Sequence, residues 1–226
     1  MYCTVPFPCW SSSCGCFYCR VTFVGSWTPT CQPDYRVNNP HWSPLTGASH
    51  DPSYEVWNAC MYNVTLGVAL VSQTGSTAKI EEEYRAQGDK VLDTGKGRGI
   101  GGDGMSSFDL MVDANHSFVS VLTMLAPSAD RMMGASRLRL CDDTCWKDRV
   151  MVCGELFSTA TKSARVGTPN TIQSQNCSFG YFNFTLISCK DGRCSPCPTP
   201  VPPMTMPTAL TGGLVLWTLS LQCNVC

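Results

Sequence analysis

The sequence predicts a mainly β fold, an antiparallel sandwich with a helix packed on it, and three observations carry that prediction. Four segments have the β-branched and aromatic content of strands: "RVTFVGSW" (20–27), "HSFVSVLTMLA" (116–126), "DRVMVCGEL" (148–156) and "FGYFNFTLISC" (179–189). One stretch alone has a convincing helical period. Sixteen cysteines accompany four Asn-x-Ser/Thr sequons, at Asn63, Asn115, Asn176 and Asn183. Together these point to an oxidising secretory compartment and a disulfide-bonded framework.

At 226 residues the chain can bury one good core with appendages at its ends. Its formal charge of -1 gives no electrostatic footprint for nucleic acid. Residues 1–18 form an uncharged, cysteine-rich leader with no basic n-region and an apolar run broken by proline and cysteine, a poor signal peptide. Cys14, Cys16 and Cys19 have a spacing that could hold zinc. A structural zinc site takes four ligands, about two pairs, so disulfides are the expectation for them.

The domain is expected over 19–190. Early in it, "HWSPLTGASH" (41–50) holds two of the three histidines, His41 and His50. With Ser43 and Asp51, His50 could form a hydrolytic triad, but no G-x-S-x-G elbow occurs and residues adjacent in sequence rarely make one. Enzyme activity is not expected.

The helix is expected from near Ser76 through "AKIEEEYRAQGDKVL" (78–92), with Ile80, Tyr84, Val91 and Leu92 on one side facing a sheet. Glu81, Glu82 and Glu83 fall in its early turns, where the helix dipole favours negative charge, and read as a solvated face rather than a cation site. "TGKGRGIGGDG" (94–104) contains G-x-G-x-x-G matches at Gly97 and Gly99. A nucleotide loop needs a strand before and a helix after; here a helix precedes and the strand-like "SSFDLMV" (106–112) follows, so a flexible connection is expected.

Residues 191–208 read as a Cys/Pro-rich linker in which the Cys194 and Cys197 pair lacks a redox context. In the apolar tail, 209–226, the stretch 209–221 is too short to span a bilayer, and the tail reads either as a plain cysteine-rich end or as a C-terminal lipid-anchor signal.

"VTFVGSW", "HWSPLTGASHDPSYEVW", "GVALVSQTGSTAKIEEEYRAQGDKVL", "FVSVLTMLAPSAD" and "LCDDTCW" occur in this order, and with them the chain resembles the spondin-domain family, as found in F-spondin and mindin, over about residues 20–155. The resemblance implies a sandwich like the calcium-dependent lipid-binding modules, a second helix within "YNVTLGVALVSQTG" (62–75), and extracellular adhesion or recognition without catalysis. The implied partners are matrix, integrin-type receptors and microbial surface ligands; the alternative is a disulfide-rich structural matrix component without a dedicated receptor. It also implies a calcium ion held by three aspartates. Here only Asp130 remains, followed by Arg131 in place of a tryptophan; Phe157 stands for another tryptophan, and Ser158 and Lys162 for two aspartates. Lysine supplies donors where a cation needs acceptors, so calcium binding is expected to be lost or weakened. Cys141 and Cys145 are implied to be disulfide-bonded, with Cys31, Cys60, Cys153, Cys177 and Cys189 as further candidates. His41 and His50 are then expected to fix a long loop on the sandwich with Trp42 packed beneath, and Trp146 to be a packing residue.

Overall fold

A computed structural model of the chain describes residues 17–28, 37–58, 64–128, 130–141, 146–159 and 179–189. In chain order the elements are β1 (Phe17–Gly25), β2 (His41–Trp42), β3 (Thr46–His50), α1 (Leu66–Thr74), α2 (Ala78–Ala86), a 3-10 turn (Gly88–Lys90), β4 (Val91–Lys96), β5 (Ile100–Gly101), β6 (Met105–Val112), β7 (Phe118–Ala126), β8 (Arg131–Arg139), β9 (Arg149–Cys153), β10 (Glu155–Ser158) and β11 (Gly180–Cys189). The fold is mainly antiparallel β with two helices, as expected.

Two sheets face each other. The first runs β6-β1-β11-β9, with Val21 opposite Phe184 on one side and Phe108 on the other. The second runs β10-β8-β7, and the far edge of β7 is shared: β3 pairs with Phe118–Leu122 and β2 with Leu125–Ala126, with β4 beyond β3 and β5 beyond β2. Alternation along β1 sends Phe17, Cys19, Val21 and Phe23 inward, where they meet Phe182 and Phe184 of β11 and Val119, Val121 and Leu125 of β7. Each fully buried aromatic of this kind contributes about 1.5–3 kcal/mol of transfer free energy. β7 is covered on both faces, because the helices lie on the other side of its sheet: Val68 and Val71 of α1 and Ile80 and Tyr84 of α2 pack on Ala48, Leu122 and Met132. The result is three layers, helices on sheet on sheet.

Three expectations need correction. The helix ends at Ala86, and Val91 and Leu92 belong to β4. Gly88, at φ 57°, takes the left-handed conformation that terminates a helix, which the apolar spacing alone did not register. The glycine-rich run is not a flexible connection: it contains the end of β4 and all of β5, and a Cβ on Gly95 would run into the Phe108 ring of the facing sheet. There glycine permits close approach of two sheets rather than motion. Finally, "HWSPLTGASH" is not a loop. His41 opens β2, and 46–50 form a strand buried at every position. Thr, Gly, Ala and Ser gave this strand no apolar signature, because β3 lies between two strands and beneath the helices.

Candidate functional site

The residues of catalytic type are built into the framework. His50 closes β3, and its Nδ1 lies 2.8 Å from the Asp51 carbonyl, which only accepts; Nδ1 therefore carries the proton. Nε2, 2.8 Å from Ser120 Oγ, then accepts from that hydroxyl. Ser120 Oγ accepts in turn from the Arg137 N–H at 2.9 Å. This is the spacing of a nucleophile and its base, but both His50 and Ser120 are 0% exposed. No substrate reaches them. What the hydroxyl supports is Arg137, a non-glycine residue at φ 52° beside the bulge in the β7/β8 pairing. The Arg137 guanidinium reaches Glu55 and donates to the Pro52 carbonyl, so one network ties β3, β7 and β8 to the 51–58 loop.

Ser43, His50 and Asp51 are not brought together as a triad. Ser43 Oγ accepts the Met124 N–H at 2.8 Å, while its own N–H donates to the Met124 carbonyl. The Asp51 carboxylate accepts from the Ser53 N–H and hydroxyl and the Tyr54 N–H. Burial opposes ionisation of Asp51, but those bonds outweigh it and hold its pKa below the usual carboxylate value. Trp42 is buried and donates from Nε1 to the Gly102 carbonyl at 3.0 Å. His41 Nδ1 lies 2.8 Å from the Asn39 carbonyl at the mouth of an open groove of about 440 Å³, lined also by Pro44, Gly75 and Ile100 and by no charged side chain.

The acidic triplet is more engaged than a solvated face. Glu83 accepts from Gly67 N–H at 2.7 Å and Thr65 Oγ at 2.6 Å, so one helix caps the start of the other. Glu81 accepts from Thr77 and pairs with Lys96; Glu82 pairs with Lys79. A cation would have to displace these partners.

Asp130 precedes β8 and Ser158 ends β10, and the pairing of Ser158 with Arg131 sets them side by side. Ser158 Oγ donates to Asp130 Oδ2, and the Thr159 N–H donates to the Asp130 carbonyl at 3.0 Å. Thr159 Oγ1 continues to Ser72 of α1 at 2.5 Å. Phe157 is buried edge-on against Trp57, centroids 4.8 Å apart. Calcium takes about six to eight oxygen acceptors. Here a hydroxyl donates into the carboxylate, and among the described residues no three His, Cys, Asp or Glu side chains converge. Among these described residues the one carboxylate is already hydrogen-bonded. Lys162 lies outside the described residues.

A family model described as Spondin_N matches residues 17–177, and so takes in both helices and ten of the eleven strands. The chain belongs to the spondin family. It is 34% identical over 148 residues to Spondin-1 of Gallus gallus, covering 62% of this chain and 18% of that protein. It is 32% identical over 157 residues to Spondin-1 of Xenopus laevis, covering 66% of this chain and 19% of that protein. Against Spondin-2 of Rattus norvegicus it is 31% identical over 139 residues, covering 58% of this chain and 42% of that protein. The chain thus matches only a fraction of the length of these spondins.

Within the spondin domain, Asn115 is exposed in the turn after β6, and Asn183 lies in β11; Asn63 and Asn176 are outside the described residues. Cys141 is buried and bridges to Trp146, itself buried. Cys153 ends β9 and Cys189 ends β11, whereas Cys31, Cys60, Cys145 and Cys177 are outside the described residues, as are Cys14, Cys16 and the tail. Cys19, expected in a disulfide, is instead a free thiol on the inner face of β1, and burial, helped by the Asp109 charge, pushes its pKa up to about 12. The residues that sequence reasoning missed are Ser120 and Arg137. A serine in an apolar strand was the available signal, since a buried hydroxyl needs a partner. No helix among the described residues is long and apolar enough to cross a membrane.

Proposed function

We propose that the chain is an extracellular recognition module that binds matrix, integrin-type receptors or microbial surface ligands through its exposed loops and acts without turnover. The observation that supports this reading is the spondin match over the sandwich, within which His50, Ser120 and Ser43 are committed to holding strands together and Asp51 to a turn. With the chemistry-bearing groups occupied internally, the surface is what remains to act. The sequons and the number of cysteines support a secretory route, with Cys141 and Cys153 among the residues that cross-link the framework.

Calcium has no part in this proposal. The Ser158 hydroxyl at Asp130 does by hydrogen bonding what an ion would do by coordination, fastening the end of β10 to the start of β8. Titration calorimetry of the secreted protein with calcium chloride is expected to give no saturable heat. Micromolar binding that disappears in Asp130→Ala would overturn this part.

For the recognition reading, cells are plated on the immobilised full chain. Saturable attachment, competed by the soluble protein, is expected. Attachment no greater than to an unrelated glycoprotein would overturn it and leave a structural matrix component as the better description.

A further inference from the structure

The solvent face of the four-stranded sheet is mixed, with exposed apolar side chains gathered at one end. Met105 of β6 and Met151 of β9 are 59% and 54% exposed, and Val24 and Tyr181 lie half-buried beside them, whereas Ile187 of β11, 41% exposed, lies apart beyond the row of Asp109, Arg20 and Thr185. A patch of this kind on a soluble protein calls for a covering. At its edge is Asn183, in an interior strand, opposite Thr22 of β1 and Met151 of β9. Asparagine is depleted from strands, so its presence mid-strand on this face asks for a reason.

The polar groups around it supply one. Asn183 Oδ1 accepts from Arg149 Nε at 2.7 Å, and Nδ2 donates one hydrogen to Thr185 Oγ1 at 3.1 Å. Asn183, Phe184 and Thr185 form a sequon in which the first and third side chains share the solvent face while Phe184 is buried beneath. N-glycosylation replaces one of the two amide hydrogens. The fold uses the carbonyl oxygen and one hydrogen, so the modified side chain keeps both of its bonds, and the substituent leaves toward solvent.

We infer that Asn183 carries an N-linked glycan that roofs the apolar end of the solvent face of the four-stranded sheet, keeping Met105 and Met151 out of self-association and leaving ligand contact to the rest of the surface. The step transfers an oligosaccharide from a polyprenyl-pyrophosphate donor: the bond from sugar C1 to Asn183 Nδ2 forms, the C1–O bond to pyrophosphate breaks, and the amide proton is lost. The inference rests on the secretory route proposed above. The Arg20–Asp109 pair, a two-pronged ion pair on the same face, marks where polar surface resumes.

The test uses the full chain secreted from animal cells. Peptide N-glycosidase in heavy-oxygen water converts each occupied asparagine to a mass-tagged aspartate, and a tag at position 183 is expected. Thr185→Ser is expected to keep it and Asn183→Gln to lose it. Deglycosylating the already folded protein separates shielding from any folding effect: binding of a hydrophobic dye should rise severalfold and dimers or larger species should appear on gel filtration. A tag at Asn115 with none at Asn183 overturns the inference and leaves the extracellular reading standing. Occupancy of Asn183 with unchanged dye binding and mass after deglycosylation overturns the shielding role. A chain retained in the cytosol with no tag at any sequon overturns both readings.

Discussion

His50 and His116 respond to protons in opposite senses. Burial is the main influence on His50 and lowers its pKa, with Arg137 adding to the effect; the Asp51 carbonyl opposes it. The unfolded chain, with a histidine pKa of about 6.5, therefore takes up a proton before the folded one does. The stability held by neutral His50 is full above that value and is lost as pH falls through it toward the folded pKa. His116 stands between two acceptors, Asp113 Oδ1 at 2.8 Å and the Asp89 carbonyl at 2.7 Å, so the ring donates from both nitrogens as an imidazolium. Partial burial lowers its pKa, but those bonds and the Asp113 charge raise it further, to a net value above the ordinary one. Its contribution is full below about 6.5 and is lost as pH rises through the folded pKa. Urea midpoints measured from pH 8 down to 5.5 should fall more steeply in His116→Gln than in the parent chain, and less steeply in His50→Gln. Equal slopes in all three proteins would show that neither network is formed.

At the scale of elements, the two helices hold each other. α1 begins with Thr65 Oγ accepting from the Val68 N–H, and Glu83 of α2 takes the Gly67 N–H and the Thr65 hydroxyl. Removing that carboxylate leaves a helix start short of an acceptor, so Glu83→Ala should lower stability by about 1 kcal/mol, read from chemical denaturation. Glu82→Ala, on an exposed and solvent-screened pair, should leave the denaturation midpoint unchanged. Legibility in the sequence followed local pattern. β1, β6, β7 and β11 announced themselves through apolar and β-branched residues, and α2 through its period. β3 did not, since its burial comes from neighbours distant in the chain and small residues suffice where layers lie close. α1 has valines and a threonine, and the family resemblance, not its own propensity, placed it. Of the site, the family resemblance put Asp130 and Ser158 at positions that would share one ion, and their hydrogen bond, with its direction, needed coordinates. Ser120 was invisible because a serine inside "FVSVL" looks like an interruption until its histidine is seen.

For the molecule as a whole, the spondin match stops at residue 177, while β11, Gly180–Cys189, is an interior strand pairing with β1 along its length and with β9 on its other side. A chain ending at residue 177 would leave both without that partner, and Phe182 and Phe184 would be missing from the core. It should fail to be secreted and show no cooperative unfolding, whereas a chain ending at residue 190 should be secreted and unfold cooperatively. Secretion of the shorter chain in folded form would show that β11 is dispensable. The pairing of the first described strand with the last described one also has a bearing on synthesis. At about 5–20 residues per second, on the order of ten seconds or more separates the emergence of β1 from that of β11. For that interval one edge of β1 is an open template for any strand nearby. The nascent domain is thus most exposed to mispairing just before it is finished, and a lumenal chaperone that binds extended apolar segments would find its principal client window there.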